Sequence, residues 1–341
     1  MEKIRMGIMS PSNIAFHRFL PSLQKAEGFQ YMGVAVADQR EWFGEASETL
    51  LQAEQKKARG FQEKYGGEIF SGYRSLLENP KIDAVYLPLP PALHYEWAMR
   101  ALQSGKHVLV EKPSTTCLAD TSALAEEAER RNLAVHENYM FQYHSQIKTI
   151  REMIASGELG EIRAYKLSFG FPRRDAADFR YNKSMGGGAL LDCGGYPVKL
   201  ASLLLGDSAK LVQSRLNHVP GCEVDLFGTA VMENADGICA QISFGMDNAY
   251  QCQLEAWGSK ITLIAPRVFT AGADVPPSLI LRSSRDEKTI ALEKDDQFLH
   301  SIEWFGKAVA EETVRKNNRE AMRTQAAFVE VIREREESAC R

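Results

Sequence analysis

Short apolar runs alternate with longer stretches of helical periodicity over the first 140 residues of the chain. The runs have the length of buried strands and cover residues 4–9, 31–37, 84–87, 107–110 and 133–137. Loosely helical spacing is found over 14–23 and helical spacing over 92–103 and 118–132, and a polar stretch rich in Ala, Glu, Lys and Gln predicts a helix over 39–64. This alternation predicts a first domain over 1–140, an α/β fold on a doubly wound parallel sheet.

The pattern changes to a period of two after residue 161. Half-polar strands with turn signals between them are predicted over 162–171, 209–219, 224–232, 237–244, 250–257 and 261–264. Such strands are typical of a large, open, mostly antiparallel sheet with one face packed and one face uncovered. Two helices over 295–312 and 318–334 end the chain. We therefore expect a second, α+β domain over 141–341, whose last helices can pack back on the first domain.

The uncovered face of the second sheet carries aromatic residues, which are Phe227, Phe244, Tyr250 and Trp257. One interpretation is that the sheet pairs subunits into a homodimer or homotetramer. The alternative, in which the aromatic side chains turn inward onto covering helices, stays open.

Composition excludes several classes of partner. The 341 residues carry a net charge of −4, so no basic excess indicates nucleic acid, and no apolar run of about 18 residues predicts a membrane span. The N-terminus has no secretory apolar region, and the six cysteines lack C-x-x-C spacing, which favours reduced thiols in the cytoplasm. No metal site is expected, because His136, His144 and Glu137 have no partner at ligand spacing.

The first strand-to-helix turn is the place where a Rossmann sheet binds a dinucleotide. A pyrophosphate there requires close backbone approach and the positive end of a helix dipole, which glycines normally allow. Small residues, Ser10, Ser12 and Ala15, stand at the glycine positions, and Asn13 and Ile14 lie at the helix start. From these residues alone, an ordinary turn is an equal alternative.

Asp38 follows the second strand, where a carboxylate hydrogen-bonds the adenosine ribose hydroxyls. The same carboxylate would repel a 2′-phosphate, so NAD is slightly favoured over NADP. Arg40, two residues later, weakens that preference.

Two further stretches carry candidate chemistry. The strand over 107–110 ends on Glu111-Lys112-Pro113, and ligands collect at the carboxyl ends of parallel strands. The second stretch is the glycine-rich segment 186–197, where Asp192 and Tyr196 share one face if the turn is helical. A capping residue and a buried tyrosine are the alternative interpretation of that pair.

Together these stretches resemble the glucose–fructose oxidoreductase / inositol dehydrogenase (Gfo/Idh/MocA) family of NAD(P)-dependent oxidoreductases, over nearly the whole chain. Segments 86–94, 137–141 and 186–192 look most like the branch that reduces a keto group at C3 of nucleotide-linked sugars. Members of that branch pair the motif lysine with tyrosine, as Lys112 and Tyr196 do here, where many other members carry histidine. The chain departs from the family at Ser10 and Ser12 and by extra length around 42–55.

The resemblance implies roles for individual residues. The expected catalytic residues are Lys112, Tyr196 and Asp192. The expected cofactor-binding residues for NAD or NADP are Ser10, Ser12, Asn13, Ile14, Asp38, Leu87, Pro88, Leu89, His94, Glu111 and Lys112. The expected contacts to a sugar-like small molecule are Lys112, Phe141, Arg180, Tyr181 and Tyr196. For His94, a capping or packing role is an equal alternative.

Hydride delivery to a ketone leaves an alkoxide, so the site must supply a proton and positive charge. We assign Tyr196 as proton donor, Lys112 as its electrostatic partner and Asp192 as the group that orients them, with lysine as the acid still open. Arg180 is the favoured contact for a substrate diphosphate, whereas Arg173 and Arg174 also fit a solvated loop.

Two other functions compete with hydride transfer to a nucleotide-linked sugar. A free-sugar, polyol or dihydrodiol dehydrogenase has the same fold but no need for a diphosphate clamp. A non-catalytic dinucleotide-sensing regulator has no use for the lysine–tyrosine pair.

Overall fold

A computed structural model describes residues 2–42 and 47–339, with side chains described as far as residue 335. The chain forms two compact units. The first contains the residues up to Asn138 together with Phe298–Arg323. The second contains Tyr139–Gln297 together with the residues from Thr324 onward.

The first unit is built on a six-stranded parallel sheet with the order β3-β2-β1-β4-β5-β6. The strands are β1 Ile4–Met9, β2 Phe29–Val36, β3 Glu68–Ser71, β4 Ala84–Leu87, β5 His107–Val110 and β6 Val135–Glu137. Strand β1 pairs with both β2 and β4, so the strand order reverses beside it. The predicted doubly wound sheet is confirmed, and sheets of this kind bind ligands at the carboxyl ends of their strands.

Helices flank this sheet. They are α1 Leu20–Leu23, α2 Glu48–Tyr65, α3 Tyr73–Glu78, α4 Pro91–Gln103 and α5 Leu118–Arg130. The helix predicted over 39–64 is wrong at its start. Helix α2 begins at Glu48, because the Ser47 hydroxyl caps it by accepting the Leu50 N–H at 3.2 Å; residues 43–46 of the prediction lie outside the described residues. Strand β3 and helix α3 were not predicted.

The second unit contains an eight-stranded sheet with the order β14-β13-β12-β11-β7-β10-β9-β8. The strands are β7 Ile162–Gly170, β8 Lys210–Asn217, β9 Phe227–Glu233, β10 Cys239–Gly245, β11 Gln251–Gly258, β12 Thr262–Ala265, β13 Ser278–Arg282 and β14 Glu287–Ala291. Strands β7 and β10 are parallel, and the other neighbouring pairs are antiparallel. The mostly antiparallel sheet is confirmed, although its last two strands were not predicted.

Helices α6 Ser145–Ala155 and α7 Gly195–Leu205 belong to the second unit, and α7 packs on β7 and β10. Phe244 is only 3% exposed on that covered face, so its assignment to the uncovered face is wrong. Phe227 and Trp257 are 41% and 52% exposed on the opposite face. Tyr250, just before β11, is 48% exposed.

Two helices close the chain, α8 Gln297–Ala310 and α9 Glu312–Ala339. Helix α9 starts six residues before the predicted 318 because Glu312 accepts hydrogen bonds from Arg315 and Arg319, at 2.8 and 3.0 Å. Within residues 2–42 and 47–339, no helix combines the length and apolar character that a membrane crossing needs.

Candidate functional site

The turn after β1 has the backbone shape of a phosphate-binding turn. Ser10 adopts φ 83°, a left-handed conformation that favours glycine. Its N–H donates to the Ala35 carbonyl at 3.0 Å, and the Ser12 hydroxyl accepts the Ala15 N–H at 3.2 Å. Ser10 therefore takes the conformation of the glycine it replaces, and Ser12 caps the helix that follows.

That helix opens with a π-helical turn, Ala15–Phe19, directly after Asn13 and Ile14. Such widened turns occur frequently at functional sites. Here the turn places Phe19 against Tyr86 of β4, with ring centroids 3.7 Å apart and planes 8° from parallel. The stacking links the turn after β1 to β4, the strand beside it.

Two carboxylates lie beyond the end of β2. Asp38 is exposed, and its Oδ1 accepts the N–H groups of Arg40 and Glu41 at 2.6 and 3.0 Å. Glu41 is 8% exposed, and its carboxylate accepts N–H groups from Asp38 and from Tyr73 at the start of α3, at 3.1 and 2.6 Å. Glu41 thus fixes the Asp38 loop, a role that no sequence motif indicated.

His94 connects the ends of β4 and β5 from inside the unit. Its ring is fully buried, with Nε2 2.7 Å from the Leu89 carbonyl oxygen and Nδ1 2.7 Å from the Pro113 carbonyl oxygen. A neutral ring has one N–H and can donate to only one of these oxygens. Burial lowers the pKa of His94 to about 4, although both carbonyls favour the charged ring. We expect burial to dominate, because the positive charge of Lys112 also disfavours a charged ring.

The burial of His94 bears on its predicted role. Leu87 and His94 have no exposed surface, and Pro88 and Leu89 are buried. The side chains of Leu87 and His94 therefore support the neighbouring segments from behind, which is the packing role left open for His94. Direct contact with a dinucleotide stays a prediction for the residues whose surface is accessible.

Glu111 lies at the carboxyl end of β5 and is 6% exposed. Its Oε1 accepts the Tyr86 O–H at 2.6 Å and an Asn138 N–H at 2.7 Å. Burial raises the pKa of Glu111, and these two bonds together with Lys112 oppose that rise. Lys112 follows, half-buried, and its peptide bond to Pro113 is cis.

The segment after Pro113 is held by Glu137 at the end of β6, whose Oε1 accepts the Ser114 N–H at 2.7 Å. The carboxylates at the ends of β5 and β6 therefore hold the chain just before and just after Lys112-Pro113. Only the position of Glu111 was evident from the sequence, because the pairing of Glu137 with Ser114 spans 23 residues.

In the second unit, Arg180 and Asp192 form an ion pair. Arg180 Nε lies 2.8 Å from Asp192 Oδ2, and Nη1 lies 3.0 Å from Asp178 Oδ1. Burial lowers the pKa of the guanidinium, but the two carboxylates outweigh it and the net change is upward. Arg180 therefore stays charged, and its side chain is 23% exposed.

Asp192 lies in a second π-helical turn, Leu190–Gly194, which leads into α7. The start of this turn is held by Asp225, whose Oδ2 accepts the Leu190 N–H at 2.7 Å. Gly188 has φ +121°, and an added Cβ would collide with Asp225 Oδ1. Burial raises the pKa of Asp225, and the Leu190 bond opposes the rise. No sequence motif marked Asp225.

Tyr196 stands in α7 within an aromatic cluster and is 6% exposed. Its hydroxyl lies 3.9 Å from the Met140 sulfur, and its ring meets those of Tyr139 and Phe169 edge-on, with centroids 5.2 and 5.1 Å away. Phe141, predicted to contact substrate, has no exposed surface and packs 5.8 Å from the Tyr196 ring. The cluster limits the orientations open to the phenol.

The remaining arginines of this region are exposed. Arg173 pairs with Asp247 at 3.4 Å, and the Arg174 guanidinium lies over the Phe171 ring at 4.9 Å. Tyr181 fixes the loop, because its hydroxyl accepts the Arg174 N–H at 2.8 Å and donates to the Met246 carbonyl at 3.2 Å. Tyr181 is thus occupied in holding the loop that carries these arginines.

The geometry of the first unit fits a dinucleotide. The left-handed Ser10 turn leads into a helix start at the carboxyl edge of the sheet, and Asp38 follows the neighbouring strand. Close packing behind the turn depends on Gly7, where a Cβ would lie 2.6 Å from Leu76 Cδ1. Ser10, Ser12 and Asp38 are the residues that would hold the pyrophosphate and the ribose.

Comparison with known proteins agrees with this geometry. Residues 26–139 match the oxidoreductase family with an NAD-binding Rossmann fold, and residues 147–264 match the GFO/IDH/MocA C-terminal domain. The chain is 37% identical to a dTDP-3,4-didehydro-2,6-dideoxy-α-D-glucose 3-reductase of Actinomadura kijaniata over 97% of this chain and 95% of the relative. It is 33% identical to the Saccharopolyspora spinosa reductase of the same name, over 96% of each.

Solved structures give the same result. A 3-ketoreductase from Actinomadura kijaniata, crystallised with NADP and TDP-benzene, superposes with a TM-score of 0.89 at 36% identity, covering 98% of both chains. On this similarity, the chain belongs to the GFO/IDH/MocA family of NAD(P)-dependent oxidoreductases.

Proposed function

We propose that this NAD(P)-dependent sugar oxidoreductase reduces a keto group of a dTDP-linked deoxysugar. The observation that carries the proposal is the similarity to a 3-ketoreductase over 98% of both chains. The relatives reported above are named as 3-reductases of a dTDP-sugar. Carbon 3 is therefore the position that we expect to be reduced.

The chain's own residues would supply the proton and the charge for this reaction. A bound dihydronicotinamide supplies the hydride. As the carbonyl carbon accepts it, the C=O electron pair moves to oxygen, and Tyr196 donates its phenolic proton there. The Lys112 ammonium stabilises the developing negative charge. Asp192, paired with Arg180 at 2.8 Å, lies in the turn that leads into the helix of Tyr196 and would orient the catalytic pair.

Replacement of the two residues tests this assignment. Tyr196→Phe and Lys112→Met should each lower kcat by about 10²–10⁴-fold, the usual contribution of a positioned acid or base. Fluorescence titration with the dinucleotide should give an unchanged Kd for Tyr196→Phe, which separates lost chemistry from lost binding. If Tyr196→Phe keeps full turnover while Lys112→Met does not, lysine is the acid. Solved structures of the Actinomadura kijaniata reductase include a tyrosine-to-phenylalanine and a lysine-to-alanine variant.

Arg180 is our proposed contact for the substrate diphosphate, because two carboxylates hold its charged side chain at the partly exposed edge of the glycine-rich segment. Arg180→Met should raise KM for a dTDP-linked keto sugar much more than Arg174→Met does. Turnover of free sugars or polyols, without turnover of the dTDP-linked sugar, would move the assignment to a free-sugar dehydrogenase.

We infer that NAD is slightly preferred over NADP, a preference that Arg40 weakens. The Asp38 carboxylate is fixed by two backbone N–H groups, and the Glu41 carboxylate lies against the same loop. Two negative charges there oppose a 2′-phosphate. Separate titrations with NADH and NADPH test the preference. Asp38→Ser should bring the Kd for NADPH closer to the Kd for NADH. Tighter binding of NADPH by the wild type would contradict it.

Pairing of subunits through the second sheet is also a proposal. The uncovered face exposes Phe227 and Trp257, large apolar residues that association would bury. Light scattering should show a dimer or tetramer, and Trp257→Glu should shift it toward the monomer. A cytoplasmic location likewise stays a prediction from the cysteine pattern.

A further inference from the structure

A line of hydrogen bonds between polar side chains crosses the first unit and ends on Glu111. Its members come from α8, α9, β6 and the end of β5. In order they are Trp304, Asn318, His136, Ser301, Asn138 and Glu111, with donor–acceptor distances of 2.9, 3.2, 3.1, 2.8 and 2.7 Å. We call this line the Trp304 chain. All its members except the half-buried Trp304 are buried, so these groups depend on one another instead of on water.

The Trp304 indole decides in which direction the hydrogen bonds of the Trp304 chain run from donor to acceptor. An indole N–H can only donate, so Asn318 must turn its carbonyl oxygen toward Trp304. The Asn318 NH₂ group then faces His136 Nδ1, and it can only donate as well. Nδ1 of His136 is therefore an acceptor without a proton, which makes the ring neutral with its hydrogen on Nε2.

The same direction continues to the carboxylate. His136 Nε2–H donates to the Ser301 oxygen, and the Ser301 hydroxyl donates to Asn138 Oδ1. The Asn138 amide is thereby oriented with its NH₂ group toward Glu111 Oε1. Every bond in the line points its hydrogen toward Glu111, and aligned bonds of this kind strengthen one another.

Glu111 is surrounded by groups that favour its ionised form. The Tyr86 phenol of β4 donates to the same Oε1 at 2.6 Å, and the Lys112 backbone N–H and ammonium also act to lower the pKa of Glu111. His136 of β6 reaches it through Ser301 and Asn138. Without such donors a carboxyl group buried to this degree takes up a proton, because burial disfavours charge.

We propose that the Trp304 chain holds Glu111 as a carboxylate beside Lys112, so that an indole on the C-terminal helix α8 sets a charge next to the proposed catalytic lysine. Its side chains are positioning residues that act through Glu111. The part that concerns turnover rests on the proposed function of Lys112, whereas the part that concerns protonation does not.

Trp304→Phe tests the proposal, because phenylalanine keeps an aromatic ring but cannot donate. Asn318 can then rotate, and the whole line can reverse. Nitrogen-15 NMR of histidine-labelled protein reports which ring nitrogen of His136 carries the proton, with the signal assigned by its loss in His136→Gln. We expect the Nε2–H form in the wild type and a mixture with the Nδ1–H form in Trp304→Phe.

Infrared spectroscopy gives the second measurement. The carboxyl C=O band of protonated Glu111, assigned by its loss in Glu111→Gln, should appear at a pH higher by about 0.5 to 1 in Trp304→Phe than in the wild type. That size is expected when one hydrogen bond of the line is lost. The acid limb of kcat should move by the same amount. Trp97→Phe, the same replacement at a buried core position of the same unit, should change none of these readings.

Ser301→Ala breaks the line in the middle and should reproduce the infrared shift, whereas Ser301→Thr keeps the hydroxyl and should restore the wild-type value. This pair keeps the proposal testable if Trp304→Phe fails to fold. An unchanged His136 tautomer or an unmoved Glu111 titration overturns the proposal. A moved Glu111 titration with an unmoved acid limb overturns its link to turnover. Full activity of Lys112→Met would refute the proposed function and leave the NMR and infrared results to decide the Trp304 chain alone.

Discussion

Replacing His94 by glutamine should remove an acid-sensitive part of the stability of the first unit. The ring is fully buried between two carbonyl oxygens, and burial lowers its pKa from 6.5 to about 4. A folded-state pKa below the unfolded value means that the neutral ring stabilises the fold above pH 6.5. That stabilisation is lost as the pH falls from 6.5 toward 4.

The magnitude follows from the two pKa values. Their difference corresponds to about 3 kcal/mol in total, of which about 2 kcal/mol is lost between pH 7.5 and pH 5.0. Glutamine does not titrate in this range. The free energy of unfolding of the wild type, measured against that of His94→Gln in urea, should therefore fall by about 2 kcal/mol between the two pH values. His17→Gln, an exchange of the same type at an exposed position, should give no such change.

The opposite result has a clear meaning. If the Leu89 and Pro113 carbonyls together hold a charged ring, both ring N–H groups donate. A lower pH then strengthens the hydrogen bonds of His94 to the two carbonyl oxygens. The wild type would then keep or increase its advantage over His94→Gln at pH 5.0. That outcome would show that two neutral acceptors outweigh complete burial at this position.

Three glycine-to-alanine substitutions test packing and helix propensity. Gly195→Ala places a Cβ against the Tyr139 hydroxyl and should lower stability by about 1–3 kcal/mol in thermal unfolding, whereas Gly28→Ala, with open space around it, should cost much less. Gly60→Ala lies inside α2, and outside that helix's own backbone no described atom lies within 4 Å of the new methyl group. The substitution should raise stability by about 1 kcal/mol, and a decrease would show that this glycine has a packing role.

The sequence was most informative where one segment contains the whole signal. The strand over 107–110 and its end at Glu111-Lys112 were predicted because four apolar residues, a charged pair and proline are adjacent. The π-helical turn Ala15–Phe19 explains why the apolar spacing after β1 fits an ordinary helix only loosely. Short elements such as β3 and α3 give too few residues for a period to appear.

The features that sequence reasoning missed join residues far apart in the chain. Asn318 meets His136 across 182 positions, and Ser301 meets Asn138 across 163. Asp225 reaches Leu190 across 35 positions. Each residue alone is typical of a helix or loop, and a bond appears only when the fold brings two such residues together.

The place of β7 in the second sheet has a consequence for the order in which the protein forms during synthesis. Its two neighbours, β10 and β11, both come later, and Gly170 at its end precedes Cys239 at the start of β10 by 69 positions. Local hairpins can assemble β8 to β10 and β11 to β14 as separate ribbons. Strand β7 can complete its pairing only after both ribbons have been synthesised, and until then the backbone groups along its two edges are unpaired. A ribosome paused before residue 239 would therefore hold a chain whose central strand is still open to pairing with a second nascent copy.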